Sequence, residues 1–115
     1  LEVSMQLPEK GCLLRIHIGE KNRHEGRPLY SWIVGKAREA GLAGATVIRG
    51  MMGYGASSRI KTSSILCISE DLPIIIELVD TQEQLEQFLE LIEPMIDEGL
   101  TTMEKVNIRF YRSGS

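Results

Sequence analysis

Cysteine is scarce in this chain, and Cys12 and Cys67 each stand without a second thiol nearby. Neither a CxxC redox pair nor a thiolate zinc site can be assembled from sequence neighbours, and a reducing cytoplasm is the expected setting. Aromatic residues are also few, with three Tyr, two Phe and one Trp, too little for a base-stacking surface. There is no cationic excess: 13 Lys and Arg against 16 Asp and Glu leave a net charge of −3, which argues against a nucleic-acid binder held by phosphates. No apolar run approaches the roughly 18 residues of a membrane span, so membrane insertion is not expected. Leu1 to Lys10 has neither the basic nor the apolar region of a secretory signal.

Motifs are missing too. There is no GxSxG elbow and no activated cysteine setting, and His17 and His24 fall on a strand and in a turn without an orienting partner. No catalytic residue is assigned, and the expectation is a protein that is not an enzyme. The two histidines with Glu20 lack ligand spacing and read as surface or interface groups, so no metal site is expected. Met51 and Met52 read as packing rather than a sulfur ligand pair. Neither a Walker GxxxxGK(S/T) nor a GxGxxG occurs.

What is present is a globular composition, 43% hydrophobic and 25% charged over 115 residues, enough for one domain spanning 1–115 with loose ends at 1–10 and 113–115. GCLLRIHIGE alternates, with Leu14, Ile16 and Ile18 on one side and Leu13, Arg15 and His17 on the other, and reads as a strand. Pro28 suits a first helical position, and Leu29, Trp32, Ile33, Ala37 and Ala40 recur at helical spacing until Gly41. ATVIRG is a short β-branched strand, followed by a loop rich in Gly, Ser and Thr, with SILCIS as an extension of a hairpin. DLPIIIELVD reads as a central strand buried on both faces. Asp80 with Glu83 resembles a capping box for a second helix with Leu85, Phe88, Leu89, Ile92 and Ile96 inward, interrupted by Pro94 and ended by Gly99. KVNIRFY closes the chain, Val106, Ile108 and Phe110 facing one way and Asn107, Arg109 and Tyr111 the other.

The order βαββαβ with right-handed crossovers predicts an α+β, ferredoxin-like sandwich, a four-stranded antiparallel sheet with both helices on one face. Trp32, Ile33, Phe88 and Ile92 are the expected core. The other face would carry Arg15, His17, Ile48, Ile75 or its neighbour, Asn107 and Arg109, too apolar for plain surface and too polar for a core, and points to a subunit contact.

Charge is unevenly spread. Between Ala40 and Ser69 there is no Asp or Glu, while Arg49, Arg59 and Lys61 fall there; from Glu70 to Glu104 there are eleven acidic residues and no Lys or Arg. The acidic part reads as a solvated helix face. The basic loop, MMGYGASSR and onward, is the candidate anion contact: Gly53 and Gly55 for close backbone approach or positive φ, Tyr54 for stacking, Arg59 and Lys61 for charge. A mobile loop that binds a protein explains the same residues.

The segment GLAGATVIRGMMGYG resembles the GxxGxTVxxxxGFG segment of PII signal-transduction proteins. Over nearly the whole chain, from LLRIHIGEKNRHEGRPLY through DLPIIIELVD to the last strand, the sequence is similar to the PII-like domain-of-unknown-function 190 family. The resemblance implies a regulatory homotrimer of ferredoxin-like subunits with an adenine nucleotide effector in the clefts between them and a loop, here 53–62, that engages a partner. It implies ligand contacts for Thr46, Gly53, Tyr54 and Gly55, and for Lys105 as the lysine before the last strand, alongside Arg49, Arg59 and Lys61. GLTTMEK stands where PII proteins have a Gly-rich phosphate loop, which favours AMP or ADP over ATP. No cofactor is required. The competing expectation is an interaction module without nucleotide that regulates a transporter, a fluoride channel or an enzyme.

Overall fold

The computed structural model describes residues 2–4, 7–62 and 71–114. Its strands are β1 (Glu2–Ser4), β2 (Lys10–Gly19), β3 (Arg23–His24), β4 (Arg27–Pro28), β5 (Ala45–Arg49), β6 (Met52–Gly53), β7 (Lys61–Thr62), β8 (Pro73–Asp80), β9 (Leu100–Asn107) and β10 (Arg112–Gly114). Helix α1 spans Leu29–Glu39 and α2 spans Gln82–Ile92, followed by a 3-10 turn at Glu93–Met95. The four-stranded sheet runs β5-β8-β2-β9, all antiparallel, with β2 and β8 central. This is the ferredoxin-like order that βαββαβ implies.

The alternation in β2 does what its pattern demands: Cys12, Leu14, Ile16 and Ile18 are buried under the helices, while Leu13, Arg15 and His17 stand on the other face. Ile74, Ile76 and Leu78 of β8 join them, and Trp32, Ile33, Leu85, Phe88 and Ile92 close the core from above. Helix α1 ends as its glycine predicts. Gly41 sits at φ 76°, a left-handed value costly for a side chain, and the Gly41 and Leu42 N–H groups return to Arg38 and Ala37 carbonyls.

Several local expectations change. Pro28 is the residue before α1 rather than its first turn, with ψ 132°. The cap of α2 is Thr81, whose hydroxyl accepts the Gln84 N–H at 3.2 Å. Asp80 is instead buried and reaches two backbone donors, Thr81 N–H at 2.7 Å and Ala43 N–H at 2.9 Å. Gly99 does not end α2, which stops before Pro94; a Cβ on it would lie 2.6 Å from the His17 carbonyl oxygen, so it serves close approach of two strands. β8 is buried on one face only, with Pro73, Ile75, Glu77 and Val79 half-buried on the face no helix covers.

The last strand begins at Leu100, so LTTMEK is strand and not a loop before one. Pairing of Cys12 with Lys105 and Lys10 with Asn107 sets Asn107 on the helix side and Val106 on the open side, the reverse of the alternation read from KVNIRFY. Arg109 lies beyond β9 and off the sheet face, and Phe110 is 68% exposed. The termini expected as loose ends pair with each other, residues 2–4 with 112–114. The SILCIS segment (64–69), with Cys67, lies outside the described residues.

Candidate functional site

Three regions compete for function: the open sheet face, the loop between β5 and β8, and the end of the sheet from which the C-terminal segment leaves. On the open face, cross-strand register lines up Leu100, His17, Ile75 and Ile48 in one row and Thr102, Arg15, Glu77 and Thr46 in the next. Arg15 donates to Glu77 at 2.9 Å and to Glu104 at 2.9 Å. The Glu77 bond, working against desolvation and joined by Glu104, holds the guanidinium above its ordinary range. One charged knot is thus set among apolar neighbours. Thr46 belongs to this row and not to the loop.

The loop base is stapled down. Gly50 N–H donates to the Pro73 carbonyl at 2.7 Å, Arg49 pairs with the Glu20 carboxylate, and Lys61 Nζ sits 2.7 Å from Asp71 Oδ2. Asp71 also accepts the Lys21 N–H at 3.0 Å. Burial pushes the Asp71 carboxyl up, but the Lys61 and Lys21 hydrogen bonds and the two lysine charges outweigh it and hold the group below the usual carboxylate range. Two of the four cations expected to meet a ligand, Arg49 and Lys61, are therefore neutralised within the chain.

Beyond the base, β6 and β7 pair Met52 with Thr62 and Gly53 with Lys61, making a short hairpin. A Cβ on Gly53 would lie 3.1 Å from Pro73 Cγ, so this glycine serves close packing. Gly55 has open space around it and no positive φ; the left-handed residue of the loop is Ser58, at φ 58°. Met51, Met52, Tyr54 and Ile60 are all exposed, and Arg59 has no carboxylate partner among the described residues.

Lys105 is elsewhere. It pairs in register with Cys12, which also faces Asp80, whereas Arg49 faces Ile74 six positions along β8. The separation is about 20 Å along the strands and about 14 Å across them, from ordinary strand rise and spacing. Lys105 shares a cavity of about 530 Å³ with Lys10, Gln82 and Asn107. A second cavity of about 440 Å³, which sequence reasoning missed, is lined by Arg109, Phe110, Tyr111 and Arg112 with Glu9. The Arg112 guanidinium lies 4.1 Å from the Phe110 ring centroid. Only the RFYR spacing could have signalled it, and that segment read as strand.

Among the described residues there is no group of three or more metal-ligating side chains. His24 packs edge-on against Trp32 with ring centroids 4.4 Å apart. No helix of the described residues is long and apolar enough to cross a membrane.

Comparison with solved structures agrees with this architecture. CPII, a nitrogen regulatory PII-like protein from Thiomonas intermedia K12 solved with ADP, AMP and bicarbonate, superposes with a TM-score of 0.66 at 16% identity, covering 86% of this chain and 88% of that one. CutA from Synechococcus elongatus PCC7942 gives a TM-score of 0.57 at 13% identity over 98% and 85%. At such identities the likeness is one of fold. Sequence relatives are nearer: a UPF0166 protein of Aquifex aeolicus is 38% identical over 86% of this chain and 93% of its own length. Another, from Methanocaldococcus jannaschii, is 35% identical over 79% and 84%. The DUF190 family model, described as Uncharacterized ACR, matches residues 11–108. The chain therefore belongs to the DUF190 family, whose curated relatives carry the name UPF0166.

Proposed function

We propose that this protein is a PII-like regulatory protein that assembles as a homotrimer and binds AMP or ADP between its subunits. The observation that carries the reading is the placement of cations without carboxylate partners. Among the described residues, cations of this kind include Lys10, Lys105 and Arg109 at one end of the sheet and, at the other, Arg59 in the same loop as the exposed Tyr54 ring. Phosphate suits the first group, and an adenine suits a loop that carries an exposed ring and a guanidinium. The two groups lie too far apart for one mononucleotide within one chain. A ligand that touches both bridges two chains, and the uncovered sheet face supplies the surface for such an assembly. Within this reading Gly53, Tyr54, Gly55 and Arg59 act from one chain and Lys105 from its neighbour. Arg49 and Lys61 position the loop, and Thr46 takes part in the subunit contact. CPII, which shares the fold, was solved with ADP and AMP.

A ligand bound only by the folded assembly stabilises it by about 2.7 kcal/mol at a hundred times its dissociation constant. A thermal-shift series with AMP and ADP tests this directly. A rise in melting temperature that Arg59→Ala and Lys105→Ala diminish is the expected outcome; no shift at millimolar nucleotide removes the sensor reading. Light scattering tests the assembly separately, and the mass of a single chain at micromolar concentration would refute the trimer.

A second reading has its own support. Met51, Met52, Tyr54 and Ile60 place four exposed apolar side chains on one hairpin, a surface suited to docking on a partner protein such as a transporter, channel or enzyme. If nucleotides fail, an interaction module is what remains.

A further inference from the structure

The peptide of Ala43, in the connection from α1 to β5, is held from both sides. Its N–H donates to Asp80 Oδ2 at 2.9 Å, and its carbonyl accepts the Tyr111 hydroxyl. Asp80 is only 5% exposed and also holds the Thr81 N–H at 2.7 Å, so the acceptor is anchored to the body of the fold independently of Tyr111. The donor side has no such anchor. After the Ile108 N–H meets the Glu9 carbonyl at 2.6 Å, the chain leaves the sheet. Among the described residues, the Tyr111 hydroxyl then makes the one hydrogen bond from residues 109–111 to the βαββαβ body. The short β10 that follows pairs, among the described residues, with β1. The 440 Å³ cavity is built from this same segment.

We propose that Tyr111 is a positioning residue: its hydroxyl latches the C-terminal segment onto Ala43 and thereby sets the Arg109 and Arg112 side chains around the cavity. The ring alone does not suffice, because without the hydroxyl the half-buried Ala43 carbonyl loses its partner and residues 109–111 lose their hydrogen bond to the βαββαβ body. The latch stands on hydrogen bonding alone; its consequence for ligand affinity rests on the proposed binding of nucleotide at this end of the sheet.

Limited trypsin digestion of the full chain, followed by intact mass, separates the two. In Tyr111→Phe, cleavage after Arg109 and Arg112 is expected about five- to tenfold faster than in the parent, the effect of losing one hydrogen bond. Cleavage after Arg59, in the exposed hairpin, should not change. Equal rates at Arg109 and Arg112 overturn the latch, and so does an equal acceleration at Arg59, which would make Tyr111 a general stabiliser. Calorimetric titration with ADP is the second arm: Tyr111→Phe should raise the dissociation constant about five- to tenfold by the same loss, and Arg109→Ala should raise it further. A raised constant for Arg109→Ala with none for Tyr111→Phe overturns the positioning role. If Arg109→Ala leaves ADP binding unchanged, nucleotide binding at this end is what fails, and the trypsin rates still decide the latch.

Discussion

Removing the Asp80 carboxylate is the sharpest test of how this fold is held at its α1–β5 connection. Asp80→Ala strips the partner from two backbone N–H groups, those of Ala43 and Thr81, which the carboxylate meets at 2.9 and 2.7 Å. A buried donor left unsatisfied costs about 1 to 3 kcal/mol. Thr81 begins a helix near the surface and can recover water more easily than Ala43 can, so the sum is expected at about 2 to 4 kcal/mol rather than at the upper bound. Asp80→Asn keeps the shape and one acceptor oxygen but turns an NH2 toward a backbone donor, and should cost about 1 to 3 kcal/mol. Thr81→Ala, which removes only the helix cap, should cost about 1 kcal/mol. Urea titration at a fixed protein concentration reads all three, because an assembling protein has a midpoint that depends on concentration. With a slope of about 2 kcal/mol per molar urea, Asp80→Ala should lower the midpoint by about 1 to 2 M. A decrease below about 0.3 M, or an Asp80→Asn variant less stable than Asp80→Ala, would refute the hydrogen-bonding account of this residue.

Phe88→Ala and Trp32→Ala empty sites that are 2% and 6% exposed and should each cost about 3 to 5 kcal/mol by the same titration; unchanged midpoints would mean the helices are misplaced on the sheet. Gly99→Ala drives a Cβ against the His17 carbonyl oxygen, a backbone atom that cannot swing aside, and should cost about 1 to 3 kcal/mol despite being a helix-friendly change in sequence terms. Asp71 has a depressed pKa in the folded state, so its contribution is intact above the unfolded value of about 3.9 and is lost as pH falls through the folded value. Protection of the β6–β7 hairpin amides, taken relative to the intrinsic exchange rate at each pH, should accordingly fall below about pH 4 in the parent and show no such acid step in Asp71→Asn; an identical acid step in both would exclude the Lys61 tether as its cause.

Several features needed nothing beyond the order of residues. The period-two run around Leu14, Ile16 and Ile18 and the helical spacing from Leu29 to Ala40 each specify an element by which side chains must be hidden together, and βαββαβ leaves few ways to close a sheet. Family membership was legible for a related reason: GLAGATVIRGMMGYG combines a helix end, a β-branched strand and a glycine loop in an order that chance seldom produces. The loop residues were likewise conspicuous, since Arg49, Arg59 and Lys61 stand in a stretch empty of acid.

Tertiary structure decided what distance along the chain conceals. Glu20 and Asp71 neutralise Arg49 and Lys61 only because the β2–β3 turn and the start of β8 meet the loop base, a pairing of residues 29 and 10 positions apart that no local pattern encodes. The face of β9 turned on register: one residue of slip moves every side chain to the opposite face, and the apolar residues Val106, Ile108 and Phe110 implied the wrong one. Asp80 looked like a cap because Asp is a common capping residue and caps are local, whereas one of its oxygens accepts from Ala43, 37 positions away, and the other from Thr81. The C-terminal cavity and its Tyr111 bond depend on the same kind of closure, 68 residues apart, and exist only once the sheet has brought the two ends of the fold together. Periodicity reports which side of an element is buried; which charges cancel and which backbone groups are held depends on contacts between segments that the chain brings together only by folding.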